Sequence, residues 1–145
     1  MSEAWFSISA TERKVNGGKC CAAEYAPLMC CIKLDPSNAH AHLNLGHVQM
    51  YVRKDPAQAE ESYRQAIRLD PKYADAHYGL ACLLDKLGKD AGAEASYREV
   101  IRLDPKGAPA HWALTTLLEK RDDVDGAIVE IREYIRKGDP DNDGE

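Results

Sequence analysis

The sequence has no apolar run near the roughly 20 residues that a membrane-spanning helix needs. Its first residues include Glu3 and no continuous apolar core, so they do not resemble a secretory signal. Basic charge is scarce as well, because 19 Lys and Arg against 24 Asp and Glu leave a net charge of -5. That balance argues against a surface that neutralises nucleic-acid phosphates. We therefore expect no membrane partner, no nucleic-acid partner and a cytoplasmic chain, with the nucleus or an organelle as alternatives.

Enzyme and metal motifs are missing too. There is no glycine-rich phosphate loop, no His-Glu zinc motif and no nucleophile elbow. The five cysteines are an odd number, crowded at Cys20, Cys21, Cys30 and Cys31, and do not form the framework of a secreted disulfide-rich domain. Along one helix Cys20 and Cys31 would be about 16 Å apart, whereas thiolates that share a zinc ion lie within about 4 Å. Only a chain reversal near Pro27 could bring them together, so the sequence predicts no catalysis, no metal and no cofactor.

What the sequence does contain is an internal repeat. The phrases "CIKLDPSNAHAHLNL", "AIRLDPKYADAHYGL" and "VIRLDPKGAPAHWAL" are three versions of one pattern. Pro36 and Pro71 are 35 positions apart, Pro71 and Pro105 are 34 apart, and Pro140 follows 35 further on. A fixed period of this length is typical of proteins built from stacked repeats.

Each period is predicted to hold two amphipathic helices, because apolar and small residues recur at steps of three and four. The helices break at "KLGKD", where Gly88 can adopt the left-handed conformation that ends a helix. They break again at "LDPK", where proline disfavours helix at the residue before it. In the second period Asp55 is predicted as the N-cap, Pro56 as the first helical residue and Gln58 as the closing residue of a capping box.

This pattern resembles the tetratricopeptide repeat (TPR). In that family the first helix carries a large residue, a Leu, a small residue and another large residue. The second helix carries Ala, an aromatic and Ala before a closing Pro. The third period matches with His77, Leu80, Ala81, Leu84, Ala93, Tyr97, Val100 and Pro105. The second matches with His42, Leu45, Gly46, Gln49, Ala59, Tyr63, Ala66 and Pro71, with one residue inserted near "RKDP". The fourth matches with His111, Leu114, Thr115, Leu118, Ala127, Ile131, Tyr134 and, one place late, Pro140.

The resemblance implies an all-α fold, a right-handed α-solenoid of about four stacked antiparallel helix pairs. Residues 1–38 are then a degenerate first repeat acting as an N-terminal cap, in which "SEAWFSIS" supplies Trp5, Ile8 and Ser9 in repeat order. Trp5 lies about three residues too far from Pro36, and Pro27 is expected to interrupt the second helix. Residues 39–73, 74–107 and 108–138 are the further repeats, and residues 139–145 are an acidic flexible tail.

Three of the five histidines share one repeat position, where the family packs a bulky residue between paired helices: His42, His77 and His111. Successive repeats are about 10 Å apart. Metal ligands all lie about 2 Å from one ion, so these three cannot form one site.

The remaining histidines, His40 and His47, are seven residues apart with Asn44 between them, on one face of a helix. They are about 10 Å apart by helix rise, which is too far to chelate one ion. Contact with a ligand and an ordinary polar surface are the two interpretations.

In the TPR family that helix face lines a concave groove. An Asn at the position of Asn44 binds the backbone of an extended peptide, because its amide both donates and accepts. The matching residues Ser7, Gly79 and Ala113 do not continue an asparagine ladder.

The family's cationic clamp for a terminal carboxylate is also absent, since Leu43, His47, Asp75 and Gly79 stand at its positions. We predict that a peptide-binding groove is lined by His40, Leu43, Asn44, His47, Tyr51, Tyr78, Cys82, Lys86, Trp112, Thr116 and Lys120. For Tyr78 and Trp112 the alternative is packing against neighbouring repeats.

The last helix carries Ile128 and Val129 where one earlier repeat has Glu60 and Glu61 and the other has Glu94 and Ala95. A terminal repeat is expected to have a polar outer face. The apolar pair therefore predicts a contact surface for a partner, for a second copy or for a further helix that is missing.

The predicted function is a non-catalytic adaptor that binds a peptide or helix segment of another protein in its groove. One alternative is an assembly subunit that acts through its ends and convex face, by self-association or as a scaffold. Another is an accessory TPR segment of a larger enzyme such as a glycosyltransferase.

Overall fold

A computed structural model describes residues 25–138 of the chain, which form seven α-helices and one π-helical turn. The helices are α1 (Tyr25–Leu34), α2 (Ala39–His47), α3 (Pro56–Leu69), α4 (Ala74–Lys86), α5 (Asp90–Leu103), α6 (Ala108–Lys120) and α7 (Val124–Gly138), and the π-helical turn Val48–Val52 continues α2. The predicted all-α class is confirmed. The predicted opening of the first repeat at Trp5, Ile8 and Ser9, the pair Cys20 and Cys21, and the tail 139–145 lie outside the described residues.

The helices pack in chain order. α2 packs on α3, α4 on α5 and α6 on α7, while α3 against α4 and α5 against α6 join one pair to the next. α1 packs on α2. Contacts between neighbours in sequence are the arrangement of a solenoid, in which each helix pair buries its apolar face only against the pairs beside it.

Small and aromatic residues at repeat positions form the core. Ala59 and Ala93 are completely buried, and Tyr63 and Tyr97 are 0% and 2% exposed. The Tyr63 ring is closely approached by two helices: a Cβ added to Gly46 on α2 would lie 2.6 Å from its Cε1, and one added to Gly79 on α4 would lie 2.8 Å from the same atom. Only glycine allows both helices to come this near to the ring.

The "LDP" turns that close each repeat share one hydrogen bond. A carboxylate oxygen of Asp35, Asp70 or Asp104 accepts from the backbone N–H two residues later, at 3.0, 3.0 and 3.3 Å. A side chain that replaces a backbone acceptor in this way stabilises a turn. The repeated phrase of the sequence is therefore a repeated turn structure.

The predicted cap of α3 is confirmed in part. Asp55 Oδ1 accepts from the backbone N–H of Gln58 at 3.1 Å, and Pro56 is the first helical residue. The return contact of a capping box is not made. The Asp55 N–H donates to the Gln49 carbonyl at 2.9 Å, and Gln58 Oε1 accepts from Gln49 Nε2 at 3.4 Å.

The extra residue of the second period lies in the π-helical turn that directly precedes "RKDP", close to the place that the sequence predicted. Gly88 has the expected positive φ, +69°, and Lys54 and Asp122 have φ of 54° and 59° at positions 34 residues to either side. The spacing of these turns is regular although Pro36 and Pro71 are 35 apart. The extra residue is accommodated by the π-helical turn Val48–Val52, in which the Arg53 N–H donates to the Val48 carbonyl at 3.0 Å.

Pro27 lies in α1, which the structure describes from Tyr25 to Leu34. The residues that precede Tyr25 lie outside the described range, so the expected interruption of this helix at Pro27 stays a prediction.

Candidate functional site

The repeated histidines make a repeated hydrogen bond. Nε2 of His42, His77 and His111 lies 3.1, 3.0 and 3.1 Å from the carbonyl oxygen of the proline six residues earlier. A carbonyl only accepts, so Nε2 carries the hydrogen in each case. Each of these hydrogen bonds therefore links the turn that contains the proline to the helix that follows it. His111 alone is fully buried, with its Nδ1 3.5 Å from Glu130 Oε2.

The other two histidines lie beside Asn44 on α2. His40 Nδ1 is 2.7 Å from the Tyr73 hydroxyl, and the His47 ring meets the Tyr63 ring edge-on at 5.5 Å between centroids. Shielding from water lowers the pKa of His47, His40 lowers it further, and Asp75 opposes both effects. Asn44 is half-buried, and its amide makes no hydrogen bond with any other residue in the range 25–138. This amide is therefore able to bond to a ligand.

Tyr51, on the π-helical turn that continues α2, contacts Lys86 at the end of α4. The Lys86 ammonium lies 4.6 Å from the centroid of the Tyr51 ring, a cation–π contact. Tyr51 belongs to the π-helical turn and is 58% exposed, so the extra residue of this repeat lies next to the contact.

A second group of aromatic residues lies on α4 and the α5 helix behind it. The rings of Tyr78 and Tyr97 meet edge-on at 5.9 Å, and the Tyr97 hydroxyl donates to Cys82 Sγ at 3.5 Å. Burial, followed by this hydrogen bond, raises the pKa of Tyr97 far above its usual value. Tyr78 is half-buried and packs against the apolar core.

Charged residues connect the exposed surfaces of α4 and α6. Lys120 Nζ lies 3.4 Å from Asp85 Oδ1 and 3.6 Å from Asp90 Oδ1. The hydrogen bond to Asp85 and the two negative charges raise the pKa of Lys120. Thr116 uses its hydroxyl to donate to the Trp112 carbonyl at 3.0 Å, and the Trp112 side chain is 76% exposed. Packing against a neighbouring repeat therefore does not account for Trp112.

Leu43 is the predicted groove residue that the structure removes from the surface. It is 4% exposed and belongs to the apolar core, because α2 turns this position towards α3 and α4. The other ten predicted residues are exposed or half-buried on α2, the π-helical turn, α4 and α6, and are here called the groove face: His40, Asn44, His47, Tyr51, Tyr78, Cys82, Lys86, Trp112, Thr116 and Lys120.

Sequence reasoning missed two residues of this region. Tyr73 was not assigned a role, although it precedes α4 and contacts His40 across the repeat boundary. Gln49 is buried and accepts a 2.6 Å hydrogen bond from the Ser62 hydroxyl. The other repeats have Leu84 and Leu118 at this position, so the sequence already marks Gln49 as a polar residue at a core position. A buried amide needs a hydrogen-bond partner, so a contact such as the one with Ser62 could have been expected.

Neither a metal centre nor a membrane span is found in the described part of the chain. Within residues 25–138 no three His, Cys, Asp or Glu side chains are placed to hold an ion. None of the helices formed by these residues is both long and apolar enough to cross a bilayer.

Comparison with a protein-family model defines the class. The tetratricopeptide repeat model matches residues 43–108 and 78–143, which together span 101 of the 145 residues. The chain belongs to the tetratricopeptide repeat family, and its fold is an α-solenoid of such repeats, as the sequence predicted.

Solved structures share this fold. Two crystal structures of MamA match with TM-scores of 0.71 and 0.70, each at 25% identity over 77% of this chain. YrrB, described as a TPR protein with an unusual peptide-binding site, matches with a TM-score of 0.69 at 20% identity over 79% of this chain. The matches cover 65%, 61% and 57% of those chains, less than two thirds of each. No curated protein sequence matches. The fold and its family support a protein-interaction module in general.

Proposed function

We propose that the chain is a non-catalytic interaction module that binds an extended peptide segment of a partner protein along the groove face. The observation that carries the proposal is the amide of Asn44, which is half-buried on α2 and makes no hydrogen bond with the other described residues. An amide donates and accepts at once, which matches the alternating N–H and C=O groups of an extended backbone.

Aromatic residues at both ends of the groove face support this function. Trp112 is 76% exposed, and exposed tryptophans are frequent anchors of protein interfaces. Tyr51, 58% exposed and 4.6 Å from the Lys86 ammonium, offers a second apolar surface next to a positive charge. A peptide that crosses from α2 to α6 would pass Asn44 and both aromatic side chains.

Several polar side chains of this face are held in place by contacts with one another or with neighbouring residues. Lys120 is paired with Asp85 and Asp90, and His40 is hydrogen-bonded to Tyr73. Groups held in this way fix the shape of a surface. Lys86 makes a ring contact and no ion pair with the residues of the described range. Its ammonium is therefore suited to a carboxylate or a backbone carbonyl of the ligand.

The test starts from peptides selected on the native chain from a random display library. The tightest peptide, made synthetically with a fluorescent label, is titrated with native protein, Asn44→Ala and Trp112→Ala. Each substitution is expected to weaken binding about tenfold, the loss that follows from one or two unmade hydrogen bonds or one apolar anchor. Gln65→Ala on α3 removes a comparable amide away from this face, where Gln65 Oε1 accepts from Arg68 Nε at 2.9 Å, and this variant is expected to bind the peptide as native protein does.

Circular dichroism of each variant checks that the helices remain intact. If Asn44→Ala and Gln65→Ala bind the peptide equally well, Asn44 does not contact the ligand. If Trp112→Ala also binds normally, the groove face is not the binding site and the proposal fails.

A further inference from the structure

The last helix carries an exposed apolar stripe that the groove does not use. Val124, Ile128, Ile131 and Ile135 on α7 are 58%, 39%, 43% and 63% exposed. Their spacings of four, three and four residues keep them on one side of the helix. These are the steps between successive d and a positions of a heptad, and all four residues are β-branched. The stripe therefore has the pattern of a short coiled-coil seam.

Earlier repeats cover the same face with the first helix of the next repeat. Ile131 corresponds to Tyr63 and Tyr97, which are buried where α3 meets α4 and α5 meets α6. Those junctions also carry an ion pair, from Lys89 to Glu60 at 3.2 Å and from Arg121 to Glu94.

In α7 the residue at the position of Glu60 and Glu94 is Ile128. The acceptor for a following repeat is thus replaced by an apolar side chain. The stripe differs from the surface that another helix of the same repeat type would need.

The charges beside the stripe change sign along α7, from acidic in the first turn to basic in the last. Asp125 stands in its first turn, and Arg136 and Lys137 in its last. Asp125 and Arg132 are exposed, and neither forms an ion pair with other residues of the described chain. Counted from Ile128 as an a position, Asp125 and Arg132 are the two e positions. In an antiparallel pair of helices, e positions of the two chains meet.

We propose that α7 pairs with α7 of a second copy of this chain, antiparallel and related by a two-fold axis. Val124 then packs on Ile135 of the second copy, and Ile128 on its Ile131, so that every layer of the seam is filled by the same two helices. Asp125 meets Arg132 of the second copy, and the symmetry repeats this ion pair. A parallel pair would instead place the basic ends of both helices together.

The test is sedimentation velocity over a range of protein concentrations. The native chain is expected to show a monomer–dimer equilibrium and no larger species. Asp125→Arg and Arg132→Asp each turn both ion pairs into repulsions, and each is expected to raise the dimer dissociation constant about tenfold or more. An equal mixture of the two variants restores opposite charges in both pairs, so it is expected to form a heterodimer near native affinity. That recovery also shows that both variants are folded.

A second pair of variants separates the stripe from the rest of α7. Ile128→Glu introduces the residue type that α3 and α5 tolerate at this position and is expected to abolish the dimer. Val129→Glu, next to the stripe and 54% exposed, is the matched control and is expected to leave it unchanged.

A native chain that stays monomeric at millimolar concentration overturns the proposal. A mixture of the charge variants that stays monomeric, or a native chain that grows into open polymers, also overturns it. Asn44→Ala is expected to dimerise normally, so failure of the groove proposal and failure of this one are distinguishable.

Discussion

Replacing Gly46 by Ala is the sharpest test of the packing around Tyr63. The next repeats have Ala81 and Thr115 at this position, so sequence comparison within the chain predicts that Gly46→Ala is harmless or favourable. An alanine inside a helix also stabilises it by about 1 kcal/mol relative to glycine. The structure predicts the opposite sign.

The magnitude follows from the distance between the new methyl group and the ring. A Cβ on Gly46 would lie 2.6 Å from Tyr63 Cε1 and 2.7 Å from Cδ1, whereas carbon atoms in contact are about 3.5–4.0 Å apart. The ring is completely buried and is approached as closely by α4 at Gly79, so it has little space into which to move. Overpacking of this kind costs about 1–3 kcal/mol. After the helix gain of about 1 kcal/mol, a net destabilisation of about 1 kcal/mol remains.

Urea unfolding followed by circular dichroism measures this change. With a slope of about 2 kcal/mol per M, the midpoint of Gly46→Ala is expected to fall by about 0.5 M. Gly92→Ala on α5 is the control, because its new Cβ would meet only one atom, Cδ1 at the end of the Leu84 side chain, at 3.1 Å. Its midpoint is expected to stay the same or to rise. If Gly46→Ala raises the midpoint as Gly92→Ala does, the close approach of α2 to Tyr63 is wrong.

Two further predictions concern buried polar contacts and pH. Gln49→Leu leaves the buried Ser62 hydroxyl without its 2.6 Å acceptor, so it is expected to destabilise the fold by about 1–3 kcal/mol, and adding Ser62→Ala is expected to recover most of that loss in thermal melts. A double variant no more stable than Gln49→Leu would contradict this account. His47 has a lowered pKa in the folded chain, chiefly through desolvation, so below its unfolded value of about 6.5 the unfolded chain binds the proton more readily. Stability is therefore expected to fall from pH 7 to pH 5, and His47→Gln is expected to make the fall in melting temperature smaller; an equal fall in both proteins would exclude His47 as a cause.

The fold could be predicted from the sequence because its signals are local and repeated. The period, the helix breaks at Gly88 and the cap at Asp55 each follow from backbone chemistry within a few residues. The extra residue of the second period was detected by counting, but counting does not say where a chain absorbs an insertion. A loop is the ordinary place, and here the helix itself widens at Val48–Val52.

The candidate site was predictable only as a set of positions. Repeat spacing put Tyr51, Lys86 and Trp112 on one face, but it did not say which side chains meet. The burial of Leu43 depends on how α2 is rotated against α3 and α4, which no short sequence window contains. The histidine bonds to Pro36, Pro71 and Pro105 were likewise not foreseen, although the repeat had identified the three histidines as equivalent. That the groove face binds a peptide stays a prediction.

The π-helical turn has a consequence for how this array can vary. An inserted residue would normally rotate the remainder of a helix by about 100° and put every later side chain out of phase with the core. Here the widened turn takes up that rotation before Lys54, so α3 begins in phase with α5 and α7. One repeat can thus acquire a different exposed side chain, Tyr51, without changing how its neighbours stack. The side chains of the exposed surface and the geometry of the array can then change independently of each other.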